Sequence, residues 1–144
     1  MIRQLIRADT HGYRWTVHAF YGVTHYNVDA IMKELWRLGC PAHHARRAYE
    51  NLTSGSLNTG MTYSSFRQKE SVMVVGAAGT ASEFFNTLVH ELLHLSGHIA
   101  HAYGLDRSGE DVAYVGGEIA REIFPEVPHL LRDCCRSKST RHHG

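Results

Sequence analysis

The stretch Thr87–His101, TLVHELLHLSGHIAH, places four histidines and one glutamate within fifteen residues. Leu88, Leu92, Leu95, Ile99 and Ala102 keep helical spacing through it, and Gly104 is placed to end the helix just after Tyr103. The helix opens at Ser82 or at Thr80, the latter pairing with Glu83 as a capping box. On such a helix His90 and His94 lie about 40° apart around the axis and about 6 Å apart along it. Both imidazoles can therefore reach one ion with Zn–N bonds of about 2.0–2.1 Å. Glu91 stands beside them without binding, positioned to take a proton from water.

His90-Glu91-Leu92-Leu93-His94 is an H-E-x-x-H motif. The pattern is short and arises by chance, so its setting matters: a helix, apolar residues between the polar ones, and the β-branched run SVMVVG (residues 71–76) upstream. The competing reading is a helix whose histidines are merely exposed or hydrogen-bonded. Burying two histidines and a glutamate without partners would be costly.

The rest of the chain frames this helix. Its 144 residues suffice for one domain with a core, and 43% hydrophobic with 20% charged residues describes a globular protein. A formal net charge of +1 gives no reason to expect a nucleic-acid or acidic-membrane partner, while 12 histidines make the charge sensitive to pH near neutrality. No apolar run approaches the ~20 residues needed to span a bilayer, and the opening MIRQLIRADTHGYRW lacks a leader's apolar region. Cys40, Cys134 and Cys135 match no zinc-knuckle spacing and read as free thiols, consistent with a cytoplasmic protein.

Tyr13–Val23 is rich in aromatic and β-branched residues and reads as a strand. Val28, Ile31, Leu35 and Leu38 predict a helix with Asn27 as N-cap and Gly39 past its end. Pro41 opens a second helix. Residues 56–76 read as a hairpin or two short strands, with Val72–Val75 the most buried. Ser108 and Asp111 form a capping box for a helix from about Gly109 to Phe124, which Pro125 stops; the tail RDCCRSKSTRHHG (residues 132–144) is polar, basic and frayed. The division is one domain over residues 1–144: strand and helices over 1–60, a metal-site core over 61–124, and a polar tail over 125–144.

Over Tyr63–Phe124 the chain resembles the zincin metallopeptidases, in which the HExxH helix lies beneath a small sheet whose edge strand lines the substrate cleft. The resemblance implies an α+β domain, a short antiparallel or mixed sheet packed on the HExxH helix and a following ligand helix. It places SVMVVG where the edge strand is expected, with Val72–Val75 binding the peptide as an added strand. The size and order are also similar to small HExxH proteins of bacterial phages and mobile elements. The first sixty residues resemble no family.

The third ligand is open. In the metzincin pattern H-E-x-x-H-x-x-G-x-x-H, Gly97 falls on the glycine, but position 100 is alanine, His101 is one residue late and His98 two early. The apolar stripe runs through Gly97 without changing phase, which predicts an unbroken helix. His101 then lies ~10 Å along the axis from His94, and His98 ~12 Å from His90. Both read as exposed or as groups orienting a ligand. The gluzincin pattern E-x-x-A points to Glu110, at the edge of a small-residue stripe of Ala113, Gly117 and Ala120; Asp111 is its rival. Tyr114, one turn after Glu110, is a candidate donor to a substrate oxyanion.

The expected function is therefore a Zn2+-dependent peptidase acting on a peptide or protein, with Glu91 as general base and His90, His94 and Glu110 as ligands. The alternative is a non-catalytic zincin-like module that binds a protein partner.

Overall fold

The structure, a computed structural model, describes residues 1–133. Cys134, Cys135 and the expected frayed tail beyond Asp133 lie outside the described residues. The chain begins with a strand, Ile2–Thr10 (β1), whose burial alternates residue by residue. His11 and Gly12 both take positive φ (54° and 82°), the backbone of a tight two-residue hairpin turn. The turn leads into Tyr13–Val23 (β2), which pairs antiparallel with β1 from Thr10–Tyr13 to Ile2–Tyr21. Gly22, at φ 67°, sits where the β2 register shifts between Tyr21 and Val23.

Two helices follow, Val28–Arg37 (α1) and Ala42–Thr53 (α2), then the hairpin Gly60–Ser65 (β3) and Glu70–Gly76 (β4). The sheet order is β1-β2-β4-β3, with β2 and β4 parallel and both outer pairs antiparallel. The strand Val72–Val75 is thus interior, paired on both sides, and cannot accept a peptide. The two edge strands are β1 and β3. Residues Val72–Val75 are nearly solvent-free, as their unbroken apolar run predicts for a strand covered on both faces.

The long helix Ala81–Tyr103 (α3) starts with Thr80 as N-cap, whose Oγ accepts from the Glu83 N–H at 3.1 Å, and ends with Gly104 left-handed at φ 66°. It passes through Gly97 unbroken. The last helix, Glu110–Ile123 (α4), has Gly109 as N-cap with no side-chain bond. The expected capping box fails because Ser108 bonds to Asp106 instead, and Asp111 accepts from the Tyr13 hydroxyl at 3.0 Å.

The result is a mixed α+β domain of three layers. Trp15, Val17, Ala19, Tyr21, Met73 and Val75 face α3 and α4, where Leu95, Ile99, Val115 and Ile119 close one core. Phe20, Val72 and Val74 face α1 and α2, where Ile31, Leu35 and Ala45 close a second. The residues before position 60 therefore supply half the sheet and one whole layer. No helix among the described residues is long and apolar enough to cross a membrane.

Charges join α1 to the sheet. Arg37 bonds Glu34 and Glu70, each at 2.8 Å; Arg3 bonds Glu34 at 2.8 Å, and His18 lies 3.1 Å from Glu70. Burial alone would raise both carboxyl pKa values, but the bonds from Arg37 and the nearby charges outweigh it, and both are lowered. A carboxyl whose folded pKa lies below its unfolded value stabilises the fold above the unfolded value of about 4.3. That stability disappears as pH falls through the folded values. The melting temperature is expected to hold from neutral pH to about 5 and drop below it. Glu34→Gln should flatten the acid limb; an unchanged limb would show that the network does not drive it.

Candidate metal centre

His90 and His94 stand on an exposed side of α3, while Glu91 turns inward beneath β3. His90 Nε2 and His94 Nε2 stand 3.2 Å apart with the rings nearly edge to face (73°). Two ligands held about 2.0–2.1 Å from one tetrahedral ion lie about this far apart. The separation also suits a hydrogen bond between neutral imidazoles, so it fits a shared ion without requiring one. Among the described residues, no group of three His, Cys, Asp or Glu side chains is assembled to hold a metal.

Glu91 is 5% exposed, and its Oε1 accepts from the Thr62 hydroxyl at 2.8 Å. It lies beneath the edge strand β3, next to His90 in the chain. The approach requires a glycine on β3. A Cβ at Gly60 would stand 2.8 Å from Glu91 Oε2, 2.9 Å from Thr87 Cγ2 and 2.9 Å from the Val74 carbonyl oxygen. Because the carbonyl cannot swing aside, Gly60→Ala is expected to cost about 1–3 kcal/mol. Gly79→Ala, with nothing within 4 Å of its Cβ, should change stability by less than about 0.5 kcal/mol. Chemical denaturation of both variants checks this, and equal stability would contradict the packing of Glu91 on Gly60.

His98 is wired to the sheet interior. The Trp15 indole N–H donates to Ser71 Oγ at 2.8 Å; Ser71 Oγ lies 2.6 Å from Ser64 Oγ, which lies 2.6 Å from His98 Nδ1. Ser71 is fully buried. Within this chain each hydroxyl proton finds an acceptor only when Ser71 donates to Ser64 and Ser64 donates to His98 Nδ1. The ring then keeps its own proton on Nε2, as a donor rather than a ligand. Burial, with the charges of His94, Arg107 and His101, lowers the His98 pKa and favours this neutral ring. No spacing in the sequence pointed to Ser64 or Ser71, because both partners come from strands far from His98 in the chain.

The remaining candidates lie elsewhere. His101 is exposed, its ring 5.0 Å from that of Phe66. Gly116 packs against Ser96, so α4 returns along α3 with these residues level. Glu110, six residues before Gly116, then falls level with the C-terminal end of α3, roughly 12 Å along the axis from His94. It is exposed, and the structure does not bring it to the histidine pair. Asp111 is engaged by Tyr13 at the β1–β2 turn. The Tyr114 ring lies 5.1 Å from that of His11, tilted against it, and lines a separate cleft with Arg7 and Glu118, so it is not placed to meet a substrate at His90 and His94. The small residues Ala113, Gly117 and Ala120 do not bring the two helices into close contact; with Leu92, Leu93 and Gly97 of α3 they line an open cleft, and Ala113 and Gly117 are exposed.

A cleft of about 330 Å3 lies between β3, the α2 residues His44, Arg47 and Asn51, and the side chains of Phe66 and His98; Thr62 and His98 line it, but His90, Glu91 and His94 do not. Comparison with protein-family models, curated proteins and solved structures finds no match. The chemistry of the site therefore rests on its own geometry.

Proposed function

We propose that this chain is a zincin-like, zinc-dependent peptidase in which His90 and His94 hold the ion and Glu91 is the general base. The observation that carries the reading is the 3.2 Å separation of the two Nε2 atoms on the helix that also holds Glu91 under the edge strand. Zinc, when bound, supplies Lewis acidity, acidifying water and polarising a carbonyl.

The chain's own residues supply the rest. The outer edge of β3 offers main-chain donors and acceptors to an extended peptide, which joins the sheet as a fifth strand. Glu91 takes a proton from the attacking water and returns it to the leaving amine. Thr62 holds the Glu91 carboxylate through Oε1, while Oε2 lies against Gly60. Asn51, Arg47 and His44 border the substrate on its other side.

The test is zinc loading followed by exhaustive dialysis and an assay against casein and unstructured peptides, wild type beside Glu91→Gln. Retained zinc with turnover lost only in the variant supports the peptidase. Retained zinc with no cleavage of any peptide favours the non-catalytic binding module, and no retained zinc removes the peptidase.

A further inference from the structure

We infer that the cleft selects peptide segments carrying an acidic side chain, and that Arg47 and His44 on α2 read it. The inference rests on β3 being the peptide-binding edge. It assigns a role to α2, which the metal site leaves unused.

The cleft walls carry donors and apolar surface. Arg47 and His44 are both exposed and, three residues apart, lie on one helix face toward β3. Among the described residues Arg47 makes no ion pair that would neutralise it. Asn51 continues the same face one turn further on, and at the far end His98 presents Nε2–H. No aspartate or glutamate is among the residues lining the cleft. Glu91, on the other face of β3, is buried and bonded to Thr62. The floor is apolar, formed by Met61 and Tyr63, which point from β3 to the α2 side, while Gly60, Thr62 and Ser64 point to α3.

That alternation decides which substrate residues are read. A peptide paired with β3 alternates its side chains in the same way. Every second residue faces α2, while the residues between face His90, His94 and His98. An acidic side chain on the α2 side lays its methylenes on the apolar floor and its carboxylate against the Arg47 guanidinium. A nucleic acid would meet the same positive charge but could not pair with the strand edge, so the occupant is a peptide.

Binding is measured by fluorescence anisotropy on zinc-loaded Glu91→Gln, which holds peptides without cutting them. The probes are three labelled peptides of about six residues, matched to the length of β3, identical except for Glu, Gln or Lys at one α2-facing position. The Glu peptide is expected to bind about fivefold tighter than the Gln peptide, as a solvent-exposed pair allows, and the Lys peptide weakest. Arg47→Glu should reverse the order. Arg46→Glu makes the same change in net charge on the outer face of α2 beside Asp29 and Trp36, and should leave the order intact.

Equal binding of the three peptides, an equal effect of Arg46→Glu, or tighter binding of a single-stranded oligonucleotide would each overturn the inference. Charge-selective binding with no cleavage by zinc-loaded wild type would support it and count against the peptidase. Cleavage indifferent to peptide charge would do the reverse.

Discussion

Glu91→Gln is expected to lower peptide turnover by about 10²–10⁴-fold, the usual contribution of a positioned general base, while zinc stays bound. The amide preserves the size of the side chain and can still accept from Thr62, which now bonds Glu91 Oε1 at 2.8 Å. What it removes is the ability to take a proton from water. The fold should be unaffected, and thermal denaturation of the variant beside wild type checks that. A variant that keeps its activity, in a preparation freed of contaminating peptidases, would remove Glu91 from the mechanism. A variant that loses zinc as well would assign the residue to holding the ion.

His90→Ala and His94→Ala are each expected to abolish stoichiometric zinc binding, measured by metal analysis after dialysis. Removing one imidazole leaves a single ligand on an exposed helix face, and one histidine does not retain the ion against solvent. Neither change should disturb the core, because both side chains are exposed while Leu95 and Ile99 on the same helix are fully buried. Glu110→Ala should retain zinc, because α4 carries that carboxylate toward the far end of α3. Loss of zinc in Glu110→Ala would mean that α4 moves toward the histidine pair when the ion binds, and would restore the ligand set that the sequence pattern suggested.

The comparison of sequence and structure turns on how local each signal is. The unbroken helix through Gly97 was legible, because the apolar stripe keeps its phase from Leu88 to Ile99. Its C-terminal end was legible in Gly104, whereas its start was left between Ser82 and Thr80, and Thr80 is the N-cap. The strand Tyr13–Val23 was legible with its bounds, from its aromatic and β-branched content. Strand β1 was not: Leu5, with its side chain on the outer face, breaks the alternation of Ile2, Ile6 and Ala8. The turn His11-Gly12 was the available signal, since a glycine after a residue tolerant of positive φ marks a hairpin. Sheet order was not legible either. SVMVVG looks the same in a central strand as in an edge strand, and only the parallel pairing of β2 with β4 moves the free edge to β3.

At the site, the spacing of His90 and His94 fixes their relation because one helix holds both. Glu110, Asp111 and Tyr114 were assigned through the packing of a second helix, whose register no local pattern sets. The glycine at position 60 and the hydroxyl chain to His98 depend on contacts across the sheet. They emerge only when β3 is placed over α3.

The most direct test of the central claim, that His90 and His94 share one zinc, is X-ray absorption at the zinc edge on the loaded wild-type protein. Two imidazole nitrogens at about 2.0–2.1 Å, with oxygen completing the shell, are predicted, His98 being kept out of the shell by its hydrogen bond from Ser64. A spectrum without imidazole scattering, or a protein that retains no zinc to measure, would contradict the account.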